Sequence, residues 1–183
     1  MRDIRTNFIS YNGKSSVDYD IIVARNPSLT RAKRKFEKVS VPGRNGDIYF
    51  MEDAWENYTQ QYTLFIGSGD ENSTPLAVAK VAEWLDTDYR PVTIDDYINL
   101  TINGYERLID SYEPDIIRLA TLTQGFDANN KRGLFGTVAV SFNCRPERFT
   151  DDAFDAITLT TSGESITNPT GKRAKPCVKI YGS

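Results

Sequence analysis

The sequence predicts a mainly β domain, a sandwich or a barrel, that carries one α-helix. Three observations predict it. Short runs of β-branched and aromatic residues recur between turn residues. The dipeptides Asn12-Gly13, Asn45-Gly46 and Asn103-Gly104 supply hairpin turns that tolerate positive φ. A single stretch, residues 74–86, instead spaces its apolar residues every three or four positions.

Residues 4–11 read as a first strand and 17–24 as a second, making a hairpin around Asn12-Gly13. A third strand, 36–41, stops at Pro42-Gly43, and 47–51 follows the Asn45-Gly46 turn. Residues 58–66 alternate, with aromatic side chains on both faces, which predicts a long strand covered on both sides. The helix opens at Thr74, a capping residue, with Pro75 at the position where a missing N–H costs nothing. Ala77, Val78, Val81, Trp84 and Leu85 form one stripe, so Trp84 is expected in the core while Lys80 and Glu83 face water. After Pro91, strands are expected at 92–94, 98–102, 105–109 and 116–122. In 134–144 the face with Leu134, Val138, Val140, Phe142 and Cys144 is the more apolar and should point inward, with Pro146 ending the strand. Beyond Phe154 the chain turns Thr-, Ser- and Gly-rich, and a last strand, 177–181, has no partner after it. The organisation expected is a β domain over 1–150 and a linker with the start of a further region over 151–183.

A chain of 183 residues suffices for one sizeable domain plus an appendage. No apolar run approaches the roughly 20 residues that cross a bilayer, and the basic N-terminus has no apolar stretch behind it, so synthesis is expected to end in a cytoplasm. In that reducing compartment Cys144 and Cys177 are expected as free buried thiols. The net charge of −3 announces neither nucleic acid nor membrane. Its distribution is uneven: residues 25–46 hold seven bases against Glu37, or +6, and residues 47–115 hold fifteen acids against three bases, or −12. A basic segment of one copy could therefore meet the acidic body of another and set its orientation.

The absence of histidine removes Ser-His and Cys-His nucleophile pairs and His-based zinc sites, and two cysteines do not make a four-cysteine site. Paired acids remain, Asp95-Asp96 and Asp151-Asp152, but neighbours on a strand point to opposite faces and those in turns solvate and cap. Gly67-Ser68-Gly69 lacks the rest of a phosphate loop. The sequons at Asn57, Asn72 and Asn99 are not expected to meet a glycosylation enzyme. No catalytic residue, metal or cofactor is expected, and neither specific nucleic-acid nor membrane binding.

Several segments in shared order resemble the distal tail protein (Dit) family of siphophages and their prophages. The strongest is Val39-Ser40-Val41-Pro42-Gly43-Arg44-Asn45-Gly46-Asp47, where Pro42 restricts φ, Gly43 and Gly46 allow positive φ, and Arg44 stands between them. Others are Tyr19-Asp20-Ile21-Ile22-Val23, Glu83-Trp84-Leu85, Ser111-Tyr112-Glu113-Pro114-Asp115, Phe142-Asn143-Cys144-Arg145-Pro146 and Asn168-Pro169-Thr170-Gly171. The resemblance implies a β-sandwich-like or split-barrel-like ring-forming domain with one helix and an extended arm or hairpin. It also implies a homo-hexameric ring at the virion tail tip that joins the tail tube protein to the tip or hub protein and to receptor-binding or baseplate proteins. In that family a C-terminal region, often galectin-like, follows, and this chain stops soon after that region's first strand. Within this picture Pro42, Gly43, Arg44, Asn45 and Gly46 form a structural turn, and Arg31, Lys33, Arg34 and Lys35 are expected at an interface or on an exposed arm. Two rival readings differ in class. A carbohydrate-binding module would use Trp55, Tyr58 and Trp84 as an aromatic platform, and a wall-glycan hydrolase would use Asp95, Asp96 and Asp110.

Overall fold

The computed structural model describes residues 7–24, 30–67, 73–86, 104–125, 128–131, 135–150, 157–167, 178 and 180. Among these residues ten strands and one α-helix follow in the order β1 (Ile9–Tyr11), β2 (Lys14–Ser15), β3 (Ile21–Val23), β4 (Arg34–Ser40), β5 (Asp47–Trp55), β6 (Tyr58–Gly67), α1 (Ser73–Leu85), β7 (Glu106–Asp110), β8 (Glu113–Leu122), β9 (Ala128–Lys131) and β10 (Phe135–Thr150). An antiparallel sheet runs β2-β1-β7-β8-β10-β6-β3, with β9 beside the start of β10, and β4 and β5 form a separate two-stranded ribbon. This is the mainly β class expected from the sequence, with its single helix.

The sheet must curl. Its outermost strands, β2 and β3, are joined by only residues 16–20, four of them in the 3-10 turn Ser16–Tyr19. A flat sheet would put those strands about 29 Å apart, six spacings of roughly 4.8 Å, whereas five residues at a rise near 2 Å reach only about 10 Å. The strands therefore wrap into a split barrel around a core that includes Ile9 and Tyr11 of β1, Ile21 and Val23 of β3, Tyr62 and Leu64 of β6, and Val138, Val140, Phe142 and Cys144 of β10.

That short link corrects the expected hairpin, because residues 17–24 are not one strand. The Ser15 hydroxyl accepts from the Val17 N–H and the Asp18 carboxylate accepts from the Ser15 N–H, a reciprocal cap that makes a tight turn at Ser16 self-sufficient. Asp20 then reverses the chain at φ 55°, and β3 pairs with β6, Ile21 opposite Ile66, instead of with β1. The buried Ser16 hydroxyl accepts from the Ile9 N–H, tying the link to β1.

Helix α1 lies over this seam and matches the expected span to within a residue at each end. Val81, Trp84 and Leu85 are buried, and Lys80 and Glu83 are exposed, as the stripe requires. The Trp84 indole N–H donates to the Tyr11 carbonyl at 3.2 Å, and its ring stacks on Tyr19 at 5.1 Å.

Four further expectations are corrected. β6 buries Tyr58, Gln60, Tyr62, Leu64 and Ile66 only, while Thr59, Gln61 and Phe65 are exposed, so it is covered on one face. β10 does not end at Pro146: the strand runs to Thr150, and the proline sits where the register with β8 shifts between Cys144 and Arg148, so its missing N–H breaks no ladder bond there. β8 begins at Glu113, three residues before the expected start, and β5 runs to Trp55, past the expected end at 51. β9 had no sequence signal, since Ala-Asn-Asn-Lys carries no apolar alternation. The strands expected at 92–94 and 98–102 lie outside the described residues. So does most of the last one, of which only Val178 and Ile180 are described, both exposed and in no strand.

The alternation in β10 did hold. Val138, Val140, Phe142 and Cys144 point inward, and Cys144 is a buried free thiol. Burial pushes this thiol up to about 12, outweighing the Arg118 charge. In a Cys177→Ser background we expect native Cys144 to react with an aromatic disulfide reagent at least about a thousandfold more slowly than in denaturant, since opening a core takes several kcal/mol. Equal rates would contradict the burial. The raised value also means that the unfolded thiol releases its proton near 9 while the folded one holds it to about 12. Its contribution to stability is complete below pH 9 and is lost as pH rises toward 12. Tyr62, raised by burial and by Asp110, acts in the same direction.

Candidate assembly interface

The ribbon arm leaves the body at the foot of β6. Only residues 56 and 57 separate β5 from β6, and the Glu56 N–H donates to the Lys33 carbonyl at 2.8 Å, closing the arm's base. Its tip is the turn between Ser40 and Asp47. The Arg44 N–H donates to the Val41 carbonyl at 3.2 Å, and Gly43 and Gly46 take φ of 81° and 85°, where a Cβ would be strained. Pro42, Gly43, Arg44, Asn45 and Gly46 are all exposed. Arg31 and Lys33 precede β4, and Arg34 and Lys35 begin it; all four are exposed.

Pairing places Arg34 opposite Trp55, Phe36 opposite Met51 and Lys38 opposite Tyr49, and since alternate residues share a face, these side chains lie on one side of the ribbon. Phe36 and Tyr49 meet edge to face at 5.2 Å, Lys33 sits over the Phe36 ring, and Arg34 lies near the Trp55 ring. Two bases on this side are matched within the arm, Lys38 with Asp47 at 2.9 Å and Arg34 with Asp53 at 3.8 Å. The large side chains are nonetheless open to solvent: Met51 is 63% exposed and Trp55 42%, and Phe50 on the other side is 56% exposed. Isolated two-stranded ribbons are marginal in water, so such a surface is characteristic of one that finds a partner.

The second surface is the uncovered face of the body. Along β6 and β10, Thr59 faces Asn143, Gln61 faces Ser141, Thr63 faces Ala139 and Phe65 faces Thr137, with Ile22 of β3 beside Phe65. Not one of these nine side chains is charged, in a chain where 26% of residues are. Gln61 donates to the Ser141 hydroxyl, and Asn57 donates to both Asn143 and the Tyr105 hydroxyl, so the polar groups largely satisfy one another.

The body also holds a buried ionic network that sequence reading missed. Asp110, at the end of β7, is 2% exposed, as is Arg118 of β8. One Asp110 oxygen accepts from the Tyr62 hydroxyl at 2.6 Å and from Arg118 at 3.0 Å. The other accepts from the backbone N–H groups of Tyr112 and Glu113, holding the β7–β8 turn. Glu113 then bridges Arg118 and Arg148. Burial by itself would lower the Arg118 pKa, but Asp110 and the surrounding groups raise it, so the guanidinium stays charged. A clue existed in the Ser111-Tyr112-Glu113 turn, where a preceding Asp commonly accepts from the turn's own N–H groups.

The aromatic platform of the carbohydrate-binding reading does not assemble. Tyr58 and Trp84 are buried in the body while Trp55 is on the arm, so the three make no platform. Asp110 is consumed by four hydrogen bonds, and Asp95, Asp96, Asp151 and Asp152 lie outside the described residues. Among the described residues no group of three acids or cysteines is placed to hold a metal, and no helix is long and apolar enough to cross a membrane.

A curled antiparallel body with one helix over its seam and a projecting ribbon defines a domain whose conspicuous features are surfaces for contact. Residues 17–144 match the family model described as the phage tail protein RIFT-related domain, and the chain belongs to that family of siphophage tail proteins. The fold is similar to that in the crystal structure of the SPP1 Dit (gp 19.1) protein, described as a paradigm of the hub adsorption apparatus in phages infecting Gram-positive hosts. That likeness has a TM-score of 0.60 at 15% identity and covers 79% of this chain and 52% of the SPP1 chain. Comparison with curated proteins gives no match. The resemblance read from the sequence is thereby upheld at the level of the siphophage tail protein family, with a fold like that of a distal tail protein.

Proposed function

We propose that this phage tail protein is a non-enzymatic ring adaptor at the virion tail tip. Six copies close into a hexamer that joins the end of the tail tube to the tip or hub protein and to baseplate or receptor-binding proteins. The observation that carries this reading is the arm: the large apolar side chains of Tyr49, Phe50, Met51 and Trp55 stand uncovered on a projecting ribbon. Such a surface suits a neighbour in an assembly and has no use in a monomer. In this reading residues 1–150 form the ring and 151–183 lead toward a further region, in keeping with a match that spans only 52% of the SPP1 chain. The chain is made in the bacterial host's cytoplasm before it joins the virion. The turn of Pro42, Gly43, Arg44, Asn45 and Gly46 shapes the arm's tip, and Arg31, Lys33, Arg34 and Lys35 form the basic side of an interchain contact.

Negative-stain microscopy and sedimentation of the purified chain test the ring. Annular particles with a central hole and the mass of six copies are expected; a monomer at every concentration would sink the proposal. Replacing Arg31, Lys33, Arg34 and Lys35 together by glutamate should weaken assembly by about tenfold or more at low salt, and the difference should shrink at high salt. Assembly indifferent to both changes would remove these residues from the contact.

A further inference from the structure

We propose that one internal water joins Tyr58 to Arg118, accepting from the phenol O–H and from the guanidinium Nε–H, and so ties the root of the arm to the buried ionic network. Tyr58 is 6% exposed and Arg118 2%, yet the Tyr58 hydroxyl and the Arg118 Nε have no hydrogen-bond partner among the described residues. A buried donor without an acceptor costs more than an ordinary hydrogen bond returns, so two of them in one interior call for a shared partner. The two residues face the same space. Tyr58 of β6 stands opposite Cys144 of β10, and Cys144 stands opposite Ala120 of β8, so these three point to one side of the sheet. Arg118, two residues before Ala120, shares that side. The Arg118 charge acts on the Tyr58 phenol and the phenol acts back on the guanidinium, which puts the two groups close together. They make no direct bond, and a polar pair held just beyond hydrogen-bond reach is where a bridging water fits.

Charge selects water over an anion. Arg118 and Arg148 are balanced by Asp110 and Glu113, so an added anion would leave the group with a net negative charge away from solvent. Water brings two acceptor lone pairs and no charge. Its own hydrogens can turn toward the Cys144 sulfur, a weak acceptor in the same row, which completes the roughly three polar contacts usual for an internal water. The other two nitrogens of Arg118 are already engaged, with Asp110 and with Glu113, so Nε alone is left to serve Tyr58. The position gives the water a task. Tyr58 opens β6 directly after residues 56 and 57, where the Glu56 N–H closes the base of the arm. Through the water that strand end is held to Arg118, and through Arg118 to Asp110, Tyr62 and Glu113. The bridge belongs to the single chain and stands whether or not copies close into a ring.

A high-resolution crystal structure of the full chain, with a second crystal soaked in bromide, reads the site directly. A water within hydrogen-bond distance of both atoms, and no anomalous bromide signal there, is expected. A bromide peak, a protein group bonded to either atom, a direct Tyr58–Arg118 bond or no ordered density between them would overturn the proposal. Urea denaturation gives an independent answer in its sign. Tyr58→Phe removes only the hydroxyl, and where water satisfies that hydroxyl the folding equilibrium constant should fall about threefold to tenfold. Where it is unbridged, its removal relieves a buried orphan, and a constant that is unchanged or higher would equally overturn the bridge.

Discussion

Replacing Asp110 by alanine is expected to cost about 3–5 kcal/mol, as when one partner of a buried ion pair is removed. In a domain of this size that lowers the melting midpoint by roughly 6 to 20 °C. Four donors lose an acceptor together: the Tyr62 hydroxyl, Arg118 and the N–H groups of Tyr112 and Glu113. Arg118 would be left buried, and its Nε has no partner even now among the described residues. Asp110→Asn should fall between, since one oxygen can still accept from the turn. The double variant Asp110→Ala with Arg118→Met should lose less than the sum of the single changes, because the stranded charge is gone. Urea denaturation measures all three; a loss under about 1 kcal/mol for Asp110→Ala would show that the network does not stabilise the body.

Trp84→Ala should cost a similar amount, about 3–5 kcal/mol, as for other buried aromatics cut to alanine. The indole spans the seam of the barrel, stacked on Tyr19 of the 3-10 link and donating to the Tyr11 carbonyl of β1. Its removal opens a cavity where the sheet's two ends meet and orphans a buried carbonyl. Trp84→Phe separates these effects: most of the packing stays while the bond is lost, for about 1–2 kcal/mol. Leu76→Ala, on the exposed side of the same helix, should change stability by no more than about 0.5 kcal/mol. If all three variants unfold at the same denaturant concentration, the seam is not held by this residue.

Both predictions concern the rigidity of the curled sheet. Tyr62 of β6 anchors Asp110, and Glu113 links β8 to Arg148 of β10. The network thus ties together, from within, the two strands whose outer sides form the uncharged face. A sheet held at a fixed curl presents its outer residues at fixed spacing.

Features that depend on near neighbours were legible in the sequence. The helix was readable because its apolar residues recur with the period of the element they belong to, and the inward side of β10 because alternation is a local property. The exposed turn from Pro42 to Gly46 was readable because proline and glycine restrict or free φ regardless of surroundings. Features that depend on partners were not. Residues 17–24 look like a strand, yet whether they return on β1 or cross to β6 depends on the whole sheet's curl. Asp110 looks like any turn acid, and only the fold brings Arg118 and Tyr62 to it. Phe65 suggested a second covered face on β6, and only the finished body leaves it in solvent.

By itself the sequence determined the mainly β class, the helix and its buried stripe, the inward Cys144, the sharp turns and, through motif order, the tail-protein family. The tertiary structure alone decided that the sheet closes on itself through a five-residue link, that an aspartate and an arginine share its interior, and that a ribbon and an uncharged face stand open. The reason is one of range: torsional preference and side-chain period act over a few residues, while strand partners, burial of charge and exposed surface are set by contacts between segments tens of residues apart.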